Sequence, residues 1–357
     1  MKKHNFLFLA TVSLLGLGAC NISNGGKESA EQIPSSQEEV IDTSNMVPVF
    51  VLAGQSNMQG NTRISNGGTD YLKQYCNKTG KEYALFKNAG FENIKHSYYG
   101  CYPYGGSYSP FASATGSDKL AGKFVNTKAG QALNEQCIGP ELGIADVLDE
   151  YVDEDKPVYL VKSALSGSGF KSQNNDKQKA MHLTWHTRND EVEEEGTRTL
   201  YDELKDHTMN CLRQIEESGK TPIVRGFLWM QGETDSDDVK SATNYADYEL
   251  AMVKTFREDF AEYAFKGDGG NIAFIDALIY DGPNTQWRQH AILNDSKRAV
   301  AEDDPERNFL IDTTVATGLG LQLNQAENND LYHYSMDSMM QLGNEFANII
   351  VENDLLI

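Results

Sequence analysis

The sequence predicts an α/β protein, a three-layer α/β/α sandwich on a parallel sheet. Short apolar runs alternate with longer stretches of helical periodicity through most of the chain. Polar residues able to do chemistry fall directly after strand-like runs, at the carboxyl edge where open α/β sheets place their ligands. One helical stretch also ends in a glycine, as a helix C-terminus does.

The first strand is the run Val47-Pro-Val-Phe-Val-Leu-Ala53, which is far too short to cross a bilayer. Further strand-like runs cover Val158–Ala164, Ile223–Met230, Ile272–Ile279 and Phe309–Val315. Helix-like stretches lie between and after them, at Glu141–Tyr151, Leu200–Ser218, Tyr245–Tyr263, Trp287–Glu302 and Met336–Val351. In the second of these, Leu200, Leu204, Met209, Leu212 and Ile215 recur at helical spacing, and Gly219 closes it. Strand and helix in alternation predict parallel neighbours joined by right-handed crossovers.

Gly54-Gln55-Ser56-Asn57-Met58 follows the first strand. Such residues suit a tight strand-to-helix turn that displays a hydroxyl, and Ser56 becomes a nucleophile if a histidine reaches it. The same residues also suit a polar turn with a capping serine. Asp330-Leu-Tyr-His333 follows the last strand-like run and precedes the last helix. An aspartate three residues ahead of a histidine can orient the imidazole while the ring takes a proton from serine. Ser56, Asp330 and His333 are therefore the candidate triad, recognised by role and not by chain order.

Four blocks carry a family resemblance: Gly54–Met58, Ile138–Gly143, Trp229–Asp235 and Asp330–His333. Their order and spacing resemble the SGNH-type carbohydrate esterases, in particular the sialate O-acetylesterase and acetylxylan esterase group, carbohydrate esterase family 6. The resemblance spans residues 47 to about 350. It implies a flavodoxin-like sheet, an esterase acting through an acyl-enzyme, and no cofactor. It also implies an oxyanion hole made by the Ser56 N–H, a backbone N–H after the second strand and a side-chain amide. Relatives carry a double glycine after that strand; here Ser166-Gly167 stands in its place, and Gly167 takes the role. Gln231 follows the third strand; its amide either donates to the oxyanion, the job SGNH enzymes usually give to asparagine, or only holds loops together by hydrogen bonds. Gln55, Asn57, Glu233 and Trp185 are expected to bind substrate or support the loops. Ile138-Gly-Pro-Glu141 opens a helix as a structural turn, with proline at its start and an acid in its first turn.

Two segments look like insertions, residues 61–130 and 170–198. The first holds the Tyr- and Gly-rich run from His96 to Tyr108, and the second holds His182, Trp185, His186 and Arg188. Aromatic platforms beside an esterase site suit stacking on sugar rings, and equally suit a small packed lid. His182 and His186 have the spacing of a metal pair but no acidic third ligand, so no metal is expected.

Lys2 and Lys3 precede a short apolar stretch, Phe6–Leu17, as in a secretory signal. Leu17-Gly-Ala-Cys20 resembles the lipobox of bacterial lipoproteins, which implies residues 1–19 as leader, a lipidated Cys20 and an extracytoplasmic, membrane-anchored protein. Residues 20–45 read as a flexible acidic tether, and residues 46–357 as the esterase domain. The formal charge is −21, and loss of Lys2 and Lys3 makes it two units more negative. That balance argues against a nucleic-acid partner and mildly against a polyanionic substrate, unless the local field at the site overrides it. Of the remaining cysteines, Cys76, Cys101, Cys137 and Cys211, the first two flank an insertion and make a candidate disulfide.

The expected function is removal of O-acetyl groups from a glycan. A glycan-binding lipoprotein without turnover and an SGNH-type lipase are the alternatives; the intact Ser, Asp and His speak against the first, and the polar insertions against the second.

Overall fold

The computed structural model describes residues 41–100, 122–170, 184–188, 199–324 and 329–357. Residues 1–40, which include the segment expected as a leader, Cys20 and most of the expected tether, lie outside the described residues, as do Cys101 and His182.

The chain runs β1 (Met46–Gly54), α1 (Ser56–Gln59), β2 (Thr62–Arg63), β3 (Ser65–Asn66), β4 (Thr69–Asp70), α2 (Tyr71–Thr79), β5 (Phe91–Tyr99), β6 (Val125–Thr127) and β7 (Cys137–Ile138). It continues α3 (Glu141–Leu148), β8 (Val158–Ala164), α4 (Leu200–Glu217), β9 (Thr221–Met230), α5 (Val239–Thr243) and α6 (Tyr245–Asp259). The last elements are β10 (Ala273–Ala277), α7 (His290–Asp303), β11 (Asn308–Ile311) and α8 (Met336–Glu352).

The main sheet has the order β11-β10-β9-β1-β8-β5-β6. Every neighbour is parallel except β5 and β6. Counting only the five strands legible as apolar runs, the order is 2-1-3-4-5, the flavodoxin-like arrangement. Val49 of β1 lies opposite Tyr159 on one side and Val224 on the other, so β1 is the centre of the sheet. All but the first residue of β1 are buried. A parallel strand covered on both faces reads as a continuous apolar run, which is why its position was plain in the sequence. The crossover from β1 to β8 runs one way along the sheet, and those from β8 through β11 run the other way. Right-handed connections then place α3 on one face and α4, α6 and α7 on the opposite face. The closing helix α8 packs against α3.

The segment expected as an insertion at 61–130 is corrected in part: β5 and β6 belong to the main sheet. Strand β5 (FENIKHSYY) hides from an apolar scan because, after Phe91 and Ile94, its buried run His96–Tyr99 carries polar groups. Ser97 Oγ meets His207 Nε2 at 3.1 Å, Tyr99 donates to Glu203 at 3.2 Å, and Tyr98 accepts from Gln59 Nε2 at 2.7 Å. Polar groups can sit in a core when each finds a partner.

The candidate disulfide is also corrected. Cys76 is a free, buried thiol on the inner side of α2, as are Cys137 and Cys211 elsewhere. Burial, reinforced by the Asp146 charge, pushes the Cys76 thiol up to about 11.

Candidate active site

The serine turn forms where β1 ends against β9. Gly54 has φ +144°, and a Cβ there would lie 2.0 Å from the carbonyl oxygen of Met230. A side chain is excluded by both conformation and space, so the chain can press against the end of β9 only with glycine. Gln55 N–H then donates to that same Met230 carbonyl at 3.0 Å. The turn leads into α1, whose first residue is Ser56. Among the described residues the Ser56 hydroxyl and N–H have no hydrogen-bond partner. The first N–H groups of a helix have none within it, which leaves this one for a ligand.

His333 comes to this turn through its neighbours in sequence. Asn57, next to Ser56, accepts from Tyr334 N–H at 3.2 Å and donates to the Tyr332 carbonyl at 3.4 Å. One side chain thus holds the backbone on both sides of His333. Thr62 adds a second tie by donating from Oγ1 to the Tyr334 carbonyl at 2.7 Å. Asp330 sits 2.7 Å from His333 Nδ1 and accepts from the N–H groups of Tyr332 and His333. Partial burial would raise the Asp330 carboxyl, but the imidazole and those two N–H groups outweigh it and hold it below the usual carboxylate range. An ionised Asp330 favours the tautomer that places Nδ1–H toward itself, which turns Nε2 outward.

Gln231 is corrected: it is a brace, not an oxyanion donor. Its side chain is fully buried, and Nε2 faces Gln55 Oε1 (3.2 Å), the Ser168 carbonyl (3.1 Å) and Asp235 Oδ2 (2.7 Å). With three acceptors for two hydrogens, nothing is left to donate to substrate. Its Oε1 accepts from Tyr245, so Gln231 ties the ends of β1, β8 and β9 to α6. Gln55 completes the brace by accepting from Thr234 N–H at 3.1 Å. Gly167 stands differently. It lies in the turn after β8 with φ +70°, is part exposed, and its N–H has no partner among the described residues.

Glu233 and Trp185 lie inside the framework. Glu233 accepts from Asn57 Nδ2 at 2.8 Å, and burial pushes its carboxyl above the usual range against that bond. Trp185 is fully buried, donates to Ser168 Oγ at 2.8 Å and packs edge-on to Trp229. The aromatic platform expected from the two insertions is therefore corrected where the chain is described. Trp185, His186, Tyr98 and Tyr99 all face inward, and Arg188 pairs with Asp259 at 2.8 Å.

Two buried lysines lie behind this framework. Lys162 donates to Glu141 at 2.7 Å and to the Gln59 carbonyl at 3.1 Å, which anchors the end of α1. Lys297 pairs with Asp276 at 2.5 Å and lies 3.6 Å from Glu249, all three without solvent exposure beyond 2%. Burial would lower the Lys297 ammonium, but the two carboxylates hold it above its ordinary value.

A cleft of about 530 Å³ opens onto His333 and Asp330, with Asn61, Arg63, Asn134 and Gln136 among its walls. Sequence reasoning missed Asn61 and Arg63, which sit on and just before a two-residue strand too short to leave a pattern. It also missed an aromatic pair beside the base. Tyr332 is 47% exposed, and its ring lies 5.6 Å from that of Trp287. The position of Tyr332 between Asp330 and His333 was the available signal.

Fold and site define an α/β hydrolase of the SGNH-like kind, with a serine turn at the topological switch point and an Asp–His pair on the facing loop. The chain belongs to the carbohydrate esterases described as sialic acid-specific acetylesterases, whose family model matches residues 46–352, and is thereby a carbohydrate O-acetylesterase. No curated protein sequence matches it. Among solved structures it is similar to a protein from Arabidopsis thaliana, with TM-score 0.53 and 15% identity over 86% of this chain and 98% of that one. It is also similar to NanS, with TM-score 0.50 and 14% identity over 88% of this chain and 98% of that one. At such identities the likeness speaks for the fold.

Proposed function

We propose that the chain removes O-acetyl groups from a glycan through an acyl-enzyme on Ser56. Ser56 Oγ attacks the acetyl carbonyl as His333 Nε2 takes its proton. The negative charge on the carbonyl oxygen is met by the N–H groups of Ser56 and Gly167. Collapse breaks the ester C–O bond, and the sugar oxygen leaves with the proton from the imidazolium. Water then attacks the acetyl-serine, with His333 again as base, and acetate departs. Asp330 keeps its charge throughout and stabilises the imidazolium. Preorganised N–H donors of this kind contribute roughly 3–4 kcal/mol each.

The observation that carries this reading is the double hold of Asn57 on Tyr332 and Tyr334. It holds the loop of Asp330 and His333 against Asn57, the residue after Ser56. The reading is tested by acetate release from acetylated xylan and from O-acetylated sialoglycan, comparing the chain with Ser56→Ala. Release that vanishes in the variant is expected. Release that survives means a different nucleophile, and glycan binding without release by the unaltered chain would favour a binding protein. The lipobox-like run ending at Cys20 supports a membrane-anchored, extracytoplasmic enzyme, which incorporation of labelled palmitate would check.

A further inference from the structure

We propose that Gln59, Asn61 and Ser166 are positioning residues that set the oxyanion hole, by hanging the Gly167 turn from the helix that carries the nucleophile. This rests on the reading of Ser56 as nucleophile and of the Ser56 and Gly167 N–H groups as the donors. It adds the residues that keep those two separate segments in register.

The turn after β8 has two states open to it. Leu165–Ser168 closes through Ser168 N–H to the Leu165 carbonyl at 3.2 Å, with Ser166 and Gly167 in the middle. Gly167 has φ +70° and Ser166 has no positive φ, the pattern of a type II turn. A type I turn over the same four residues rotates the Ser166–Gly167 peptide, so that the Gly167 N–H points the opposite way. Glycine accepts either conformation. Whether Gly167 can serve an oxyanion is therefore decided by what holds Ser166.

The hold comes from α1 and the residues just after it. Gln59, the last residue of α1, is fully buried. Its Oε1 accepts from the Ser166 N–H at 3.0 Å and also from the Ser166 hydroxyl. An N–H can only donate, so this contact fixes which end of the amide faces the turn. Gln59 Nε2 donates to the Tyr98 hydroxyl at 2.7 Å, and the Gln59 carbonyl accepts from the buried Lys162 ammonium at 3.1 Å. Side chain and backbone of Gln59 are thus both pinned to the sheet. Asn61 adds a second strut: its Nδ2 donates to Ser166 Oγ and to the Ser56 carbonyl, each at 3.0 Å. One nitrogen joins the residue before Gly167 to the backbone of the nucleophile. The donors and acceptors balance, since both Asn61 Nδ2 hydrogens are used and the Ser166 hydroxyl donates once and accepts once. Held at its N–H and at its side chain, Ser166 sets the direction of the next N–H, that of Gly167. A donor fixed before the charge develops costs no reorganisation during the reaction.

The experiment measures hydrolysis of nitrophenyl acetate, and its inhibition by phenylboronic acid, in the full chain with Ser166→Ala, Ser166→Thr, Gln59→Met, Asn61→Ala and Ser56→Ala. Loss of a whole oxyanion donor costs about 10²–10³ in kcat, so a donor set free to turn predicts a fall of roughly 10–100-fold in Ser166→Ala and Gln59→Met. KM should stay within about twofold, because the contact is made only in the transition state. The boronate forms a tetrahedral adduct on Ser56 Oγ that places an oxygen in the hole, so its Ki should rise by a similar factor. Ki does not depend on the fraction of folded enzyme, so a role in folding alone would lower the apparent kcat and leave Ki unmoved. Ser166→Thr restores the hydroxyl and should recover most of both losses. Ser166→Ala/Asn61→Ala should fall well short of the product of the two single losses, because the two residues share one strut. Unaltered kcat and Ki in Ser166→Ala, or a loss of kcat with Ki unmoved, overturns the proposal; should Gln59→Met not fold, Ser166→Ala decides alone. Hydrolysis that survives Ser56→Ala overturns the active-site reading and this proposal together. Hydrolysis lost in Ser56→Ala but unaltered in Ser166→Ala overturns this proposal and leaves that reading standing.

Discussion

Replacement of Asn57 by alanine tests the joint between nucleophile and base. Three hydrogen bonds are lost: to Glu233 at 2.8 Å, from Tyr334 N–H at 3.2 Å and to the Tyr332 carbonyl at 3.4 Å. The consequence lies in what remains. Glu233 Oε2 already has no partner, so the variant leaves the whole carboxylate buried and unpaired. Tyr334 N–H is stranded as well. Two buried unsatisfied groups at about 1–3 kcal/mol each predict a loss of roughly 2–6 kcal/mol. For a domain of this size that corresponds to about 4–12 °C in Tm, at about 2 °C per kcal/mol. The loop holding His333 loses its register with Ser56, and kcat on any acetyl ester should fall roughly 100-fold, as small misplacements of catalytic groups do. Scanning calorimetry and acetate release read the two effects. A double-mutant cycle with Glu233→Ala should show coupling of about 1–3 kcal/mol, because the two singles remove one interaction. Wild-type Tm and kcat in Asn57→Ala, or strict additivity with Glu233→Ala, would refute the reasoning.

Two further outcomes follow from the charges. Asp330→Asn removes the anion that orients His333, and kcat should drop by about 10²–10⁴ with the fold intact by circular dichroism; a loss under tenfold would show that the ring is oriented by something else. Glu249 titrates high, at about 8, because of burial and then the Asp276 charge, opposed by Lys297. A carboxyl raised in the folded state contributes stability that is full below its unfolded value of 4.5 and is lost as pH rises through about 8. Wild-type Tm should therefore fall relative to that of Glu249→Gln between pH 5 and about 8.5, and a pH-independent difference would contradict the assignment.

The parts of this molecule that were legible in the sequence are those whose signal is local. The strands β1, β8, β9 and β10 carry apolar residues on both faces over most of their length, interrupted by Lys162, Ser163, Arg225 and Asp276, so their runs needed no knowledge of neighbours. Asp330 and His333 meet across three residues, and their contact was already implied by spacing. Strand β5 was illegible because His96, Ser97, Tyr98 and Tyr99 are made tolerable in the core only by partners as distant in sequence as His207 and Glu203. Gln231 failed for a related reason. An amide can serve an oxyanion or a scaffold, and the choice depends on acceptors contributed by Gln55, Ser168 and Asp235 from three loops. Arg63 carried no mark at all, since a strand of two residues has no period.

The central place of β1 has a consequence for how the chain acquires activity. Its residue Val49 pairs with Tyr159 and Val224, so the middle of the sheet closes only after long stretches of intervening chain are in place. Contacts that far apart are slow to form, because the loop entropy is spent before the pairing is gained. The nucleophile turn is synthesised early, and the base arrives near the other end, on a loop followed by the helix that docks on α3. On the proposed mechanism a nascent or partly folded chain thus carries a serine with no base to activate it. Hydrolysis would then begin only when the loop of His333 locks, and onset of esterase activity during refolding should coincide with burial of Trp185 and Trp229 rather than precede it.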